Sequence, residues 1–166
     1  VLQATPPEAL ADEAVGLGSW ERASWPFSLS DERRDTGGGN GMQELIKEFM
    51  GQKRFAVIGA TDNPEKYGNQ IVKNLRSRGY EVYPVNPRLK ELEGLDCYPA
   101  ITDVPVRVDV VDFVVPPKAT EEILKQCQAL GLDRIWLQPG SESEAAIAYC
   151  HENNLKVVHS VCVMLS

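Results

Sequence analysis

The sequence predicts an α/β protein whose parallel sheet carries helices on both faces. Three observations predict it. Strand-length apolar runs alternate with amphipathic stretches in the order β-α-β-loop-β-α-β-α-β. The first run, Phe55 to Ile58, shows no polar–apolar alternation, as expected of a strand buried on both faces. The first four runs also end in turns that carry glycine, proline or asparagine, on what the topology makes one rim. The sheet is expected to be five-stranded, in the order 3-2-1-4-5. Its switch point then lies between the first and fourth strands, where ligands bind at the carboxyl ends.

The elements follow in turn. Residues 1 to 41 read as an N-terminal extension without sustained period, and Gly37 to Gly41 as a flexible linker. Trp20, Trp25 and Phe27 give that extension aromatics that a solvated tail rarely carries. Residues 42 to 166 are the expected folded domain. Met42 to Met50 is a short amphipathic helix with Leu45, Ile46, Phe49 and Met50 on one face. After the first strand, a helix from about Asn69 to Arg78 turns Ile71, Val72 and Leu75 inward and closes at Gly79. The second strand, Tyr80 to Val85, stops at Asn86-Pro87. Residues 89 to 105 read as a polar connection. The third strand is Val108 to Val115. A helix then begins after Thr120, taken as its N-cap, with Ile123, Leu124, Cys127 and Leu130 inward. The fourth strand is Arg134 to Leu137. The next helix starts near Ser141 and carries Ala145, Ala146, Ile147, Ala148 and Cys150 inward. The fifth strand is Lys156 to Val158.

The stretch FAVIGATDNPEKYGN, Phe55 to Asn69, points to function. A strand enters a turn at Gly59, and a helix opens near Gly68-Asn69. Glycine allows close backbone approach to a ligand, and the first-turn N–H groups of a helix attract anions. The spacing from Gly59 to Gly68 fits neither G-x-G-x-x-G nor a P-loop. The stretch therefore indicates a phosphate without naming the nucleotide. Where a NAD site places an acid after its second strand, this chain has Asn86 with Arg88 behind it. A cation there suits a phosphorylated ribose, as in NADP or coenzyme A.

Totals bound the reading. The chain has 166 residues, 43% hydrophobic and 25% charged, and a net charge of −7. An acidic balance argues against non-specific nucleic-acid binding and against an anionic membrane surface. Lys66, Lys73, Arg76, Arg78 and Arg88 still allow a local basic pocket. No apolar run is long enough to span a bilayer, and no signal peptide is read. Cys97, Cys127, Cys150 and Cys162 have no metal-ligand spacing. They read as reduced thiols in a cytoplasmic protein.

Taken together, Gly59-Ala60-Thr61, Lys66-x-Gly68, Pro84-Val85-Asn86-Pro87, Pro116-Pro117 and Gln138-x-Gly140 resemble the small stand-alone coenzyme A-binding proteins. That family has a Rossmann-like domain similar to the nucleotide-binding domain of the succinyl-CoA synthetase α subunit. The resemblance covers Met42 to the C-terminus, and it implies a site. Gly59, Ala60, Thr61 and Lys66 would meet the pyrophosphate, with Gly68 and Asn69 shaping the helix start. Asn86, Pro87 and Arg88 would lie by the adenosine and its 3′-phosphate. Val115, Pro116 and Pro117 would flank the adenine and pantetheine path. Gln138, Pro139 and Gly140 would line the floor. Cys162 falls where the family often has cysteine, and reads as structural rather than as a partner of the pantetheine thiol.

The expected function is therefore non-catalytic binding of coenzyme A or an acyl-CoA. No Asp or Ser partner is evident for His151 or His159. One alternative is a NAD(P)-binding oxidoreductase or redox sensor on the same fold. Another is a protein-interaction domain with a vestigial pocket, partnered through Trp20 and Trp25. No metal is expected.

Overall fold

The computed structural model describes residues 39–166, with side chains from Gly41 onward. The expected extension, with Trp20, Trp25 and Phe27, thus lies outside the described residues except for its last three. Those three belong to helix α1, Gly39–Met50, which opens inside the glycine run rather than at Met42. Two glycines cost a helix about 1 kcal/mol each relative to alanine. The packing of Met42, Leu45, Ile46 and Phe49 on the sheet offsets that cost.

Strand β1, Arg54–Ile58, leads into α2, Tyr67–Ser77, and then β2, Glu81–Val85. A small antiparallel hairpin follows, β3 (Glu91–Leu92) and β4 (Leu95–Asp96), in the stretch read as an irregular connection. Beyond a 3-10 turn at Ile101–Asp103 come β5, Val110–Phe113, and α3, Pro117–Ala129. The chain finishes with β6 (Arg134–Leu137), α4 (Glu144–Glu152), β7 (Lys156–His159) and a 3-10 turn at Val163–Leu165.

The main sheet has five strands in the order β2-β1-β5-β6-β7, and every pairing is parallel. The doubly wound α/β class is as expected: α1 and α2 cover one face, α3 and α4 the other. The strand order is not. The third expected strand lies beside the first rather than outside the second, so the order is 2-1-3-4-5 and the switch point falls between β1 and β5. The reason is local. The place outside β2 is taken by a single parallel bridge, Val85 to Tyr98, flanked by the β3–β4 hairpin.

Alternation along the strands sorts the core into two layers. Ala56, Ile58, Val111, Phe113, Ile135 and Leu137 meet α3 and α4. Phe55, Val57, Val110, Trp136 and Val158 meet α1 and α2. Ile71, Val72 and Leu75 are fully buried, as their spacing predicts. Three other inward expectations fail. Leu130 is the C-cap of α3 and is 42% exposed. Ala145 and Ala148 lie on the outer side of the short α4, whose buried residues are Ala146 and Cys150. Nor is Thr120 a cap. Pro116 is the N-cap of α3 and Pro117 occupies its first turn, where proline's missing N–H costs nothing. Thr120 is buried one turn later, its hydroxyl donating back to Pro116 O at 3.4 Å.

Candidate functional site

All five strands end on one rim, and the switch point is its tightest part. Gly59 has φ +99 and follows β1 directly. A Cβ there would strike the Val114 carbonyl and approach Val115 Cγ1 to 2.9 Å. A Cβ on Gly68 would strike the Gly59 carbonyl and sit 3.2 Å from Ala60 Cα. The start of α2 therefore rests on the β1 turn, and the β1 turn rests on the residue after β5. No side chain fits in either contact, which is why the sequence has glycine at both positions.

The loop between them is ordered by its own polar groups. Thr61 Oγ1 accepts from Asn63 N at 3.2 Å, and Asn63 Oδ1 accepts from Glu65 N at 2.9 Å. Asn69 is fully buried; its Nδ2 donates to Thr61 O at 3.0 Å and to Glu93 Oε2 at 3.1 Å. Two helices open at this place, and neither N-cap side chain, Lys66 for α2 or Pro116 for α3, accepts from its helix. By contrast α4 is capped by Ser143, which accepts from Ala146 N. The first-turn N–H groups of both helices therefore have no side-chain cap at the switch point, the arrangement to which anions are attracted.

Asn86 sits at the end of β2 with no exposed surface. Its Nδ2 donates to Ala60 O at 2.7 Å, and its Oδ1 accepts from Arg88 N at 2.7 Å. Both ends of the amide are thus spent inside the protein, tying the β1 turn to the β2 turn. Arg88 is exposed on that turn. Pro87 beside it is half-buried. Gln138-Pro139-Gly140-Ser141 forms a β-turn in which Ser141 N donates to Gln138 O at 2.9 Å and Gly140 has φ +96. Proline second and glycine third are what such a turn requires. Gln138 is fully buried, its amide also held from both sides.

The structure thus brings Gly59, Ala60, Thr61, Lys66, Gly68 and Asn69 together beside Val115, Pro116 and Pro117. Asn86, Pro87 and Arg88 flank that group on one side and Gln138, Pro139 and Gly140 on the other. Three members of the basic set are used elsewhere. Lys73 Nζ lies 3.8 Å from Glu93, Arg76 donates to Glu93 O at 2.6 Å, and Arg78 holds the C-terminal segment. Cys162 is fully buried, as are Cys127 and Cys150. Burial pushes the Cys150 thiol up to about 12, far from thiolate chemistry. His159 ends β7 on the rim, Nδ1 3.0 Å from Ser160 Oγ. Its burial lowers its pKa, against a smaller opposing effect of Glu142.

One group escaped the sequence reading. Asp112, in the middle of β5, is wholly buried, and burial raises its pKa to about 7 despite the Gln138 hydrogen bond. A carboxylate inside an otherwise β-branched run is the signal that marks it. Among the described residues, no cluster of three metal-ligating side chains occurs, and no helix is long and apolar enough to cross a membrane.

Fold and rim together define a nucleotide-binding α/β domain. Residues 53–166 match the family model described as CoA binding domain. The chain belongs to that family. A conserved hypothetical protein from Pyrococcus furiosus has 42% identity and a TM-score of 0.66, covering 68% of this chain and 97% of its own. A hypothetical protein from Pyrococcus horikoshii OT3 has 33% identity and a TM-score of 0.73, covering 79% of this chain and 92% of its own. Among curated proteins, subunit alpha of the ADP-forming acetate–CoA ligase II of Pyrococcus furiosus is 28% identical over 130 residues, 72% of this chain. The chain spans 28% of that subunit and 11% to 16% of three further ADP-forming acetate–CoA ligases.

Proposed function

We propose that this chain binds coenzyme A, free or acylated, across the switch point between β1 and β5, and holds it without chemistry of its own. The observation that carries this reading is the uncapped start of α2 seated on Gly59. There a pyrophosphate meets backbone N–H groups instead of side chains. Gly59, Ala60, Thr61 and Lys66 take the pyrophosphate, with Gly68 and Asn69 setting the helix start. Arg88 takes the 3′-phosphate, on a turn held by Asn86 and Pro87. Val115, Pro116 and Pro117 flank the adenine and pantetheine, and the turn at Gln138, Pro139 and Gly140 closes the floor. A holding role is supported by where the polar side chains point. Asn86, Gln138 and Ser141 are all committed to internal hydrogen bonds. The buried thiols suit a cytoplasmic setting.

Isothermal titration of the pure chain with coenzyme A, acetyl-CoA, NADH and NADPH tests this. Saturable binding of the coenzyme A forms is expected. Absence of saturable binding up to about 1 mM coenzyme A would overturn the reading. Protection by NADPH without protection by coenzyme A would favour the oxidoreductase alternative.

A further inference from the structure

Glu93 breaks a local rule. With Gly94 it forms the two-residue turn between β3 and β4, where Leu92 pairs with Leu95. Both turn residues are left-handed, Glu93 at φ +50 and Gly94 at φ +79. Such a turn favours asparagine, aspartate or glycine in first place. A glutamate there is held by its surroundings rather than by its own preference. Those surroundings are one stripe of α2. Asn69 Nδ2 donates to Glu93 Oε2 at 3.1 Å, Lys73 Nζ lies 3.8 Å from the same oxygen, and Arg76 Nη1 donates to Glu93 O at 2.6 Å. Positions 69, 73 and 76 follow one another along a single helix face, so three side chains converge on one hairpin residue.

The connection continues past the helix. Asn69 is fully buried, and its Nδ2 also donates to Thr61 O at 3.0 Å. Its two N–H groups are thus divided between the hairpin and the loop after β1. Its Oδ1 is buried with no hydrogen-bond partner among the described residues. An amide with one buried acceptor unpaired keeps its orientation through the strength of its donor bonds, and a carboxylate is the stronger kind of acceptor. Turned the other way, the amide would set Oδ1 against two acceptors, Thr61 O and Glu93 Oε2. Glu93 therefore fixes how Asn69 points, and Asn69 holds Thr61. From Thr61 the order passes onward: its Oγ1 accepts from Asn63 N, and Asn63 Oδ1 accepts from Glu65 N.

We propose that Glu93 is a positioning residue for the ligand, shaping the loop from Thr61 to Lys66 through Asn69 so that a pyrophosphate meets it preformed. The proposal rests on the reading of that loop as the pyrophosphate site. It is separable from the fastening of the hairpin, because Arg76 grips the Glu93 carbonyl and not its carboxyl.

Two variants of the full chain test it. Glu93→Gly suits the left-handed turn, keeps the carbonyl for Arg76 and deletes the carboxyl. Glu93→Gln keeps an acceptor for Asn69 Nδ2 without the charge. In the ligand-free chain, nuclear magnetic resonance should show the Asn63 and Glu65 amides exchanging about threefold faster or more in Glu93→Gly. Glu93→Gln should stay near wild type. The Cys97 amide, which donates to Lys90 O at 2.9 Å, reports the hairpin and should keep its protection in both. By calorimetry, coenzyme A should bind Glu93→Gly about fivefold more weakly, with most of the affinity restored in Glu93→Gln. A loss of Cys97 protection alongside Asn63 would reduce Glu93 to a fastener and overturn the proposal. Unchanged loop exchange or unchanged affinity in Glu93→Gly, beside intact wild-type binding, overturns this proposal alone. A wild-type chain that binds no coenzyme A overturns both it and the reading it rests on.

Discussion

Gly68 lies against Gly59 so closely that a Cβ on the first would collide with the carbonyl of the second. The contact puts the start of α2 over the β1 turn and keeps its N–H groups at the switch point. Gly68→Ala must push helix and turn apart, at about 1–3 kcal/mol. Urea unfolding should register that loss. Titration calorimetry should register a larger loss of coenzyme A affinity than Gly79→Ala causes, since Gly79 caps the far end of the same helix.

Much of this was legible beforehand, and the parts that were not share a cause. β6 runs from Arg134 to Leu137, as the apolar run between Gly131 and Gln138 indicates. Ile71, Val72 and Leu75 are buried because helical period and burial agree there. The strand order is not legible, because Tyr98 makes a single bridge beside β2, too little to leave a period-two pattern. The internal bonds of Asn86 and Gln138 are not legible, because a polar residue at a strand end carries no sign of where its amide points. Asp112 was absorbed into a β-branched run. Periodicity reports which side of an element is apolar; it is silent on which polar group bonds which.

Asn86 offers a test of that distinction. Asn86→Ala removes a donor to Ala60 O and an acceptor from Arg88 N at a site with no exposure. A cost of about 2 kcal/mol is expected by chemical denaturation. Asn86→Asp should be at least as damaging, because a carboxylate oxygen then faces the Ala60 carbonyl. The acid should not confer NAD binding, which titration with NADH will check.

Arg88 bears on ligand choice. Its backbone is fixed by Asn86 and its side chain is exposed on the rim. Under the proposed pairing of its guanidinium with the terminal phosphate, Arg88→Ala should weaken coenzyme A about tenfold or more while leaving dephospho-coenzyme A little changed. Equal weakening of both ligands in calorimetry would remove Arg88 from that role.

Two buried or bridged acids should shape the pH dependence of stability in opposite senses. Asp112 is raised from the ordinary 3.8 to about 7, first by burial. Between those values the folded chain holds a proton that the unfolded chain has lost, so stability declines as pH climbs through that window, on the order of 4 kcal/mol in all. Glu48 Oε2 accepts from Lys156 Nζ at 2.8 Å and Arg134 Nε at 2.9 Å, and these hydrogen bonds, Lys156 first, hold its pKa below the usual glutamate value. Its contribution is complete above that usual value and is lost as pH falls through the folded one. With its side chain 32% exposed, the pair of bridges is worth about 1 kcal/mol and fades at high salt. Urea unfolding across the acid-to-neutral range should therefore show wild-type stability greatest in mild acid. Asp112→Asn should remove the decline toward neutrality and leave the acid limb in place. Glu48→Gln should flatten the acid limb alone, and about 1 M salt should mimic it. A wild-type profile that rises steadily from pH 4 to pH 8 would mean that Asp112 is ionised in the folded chain and has found a partner.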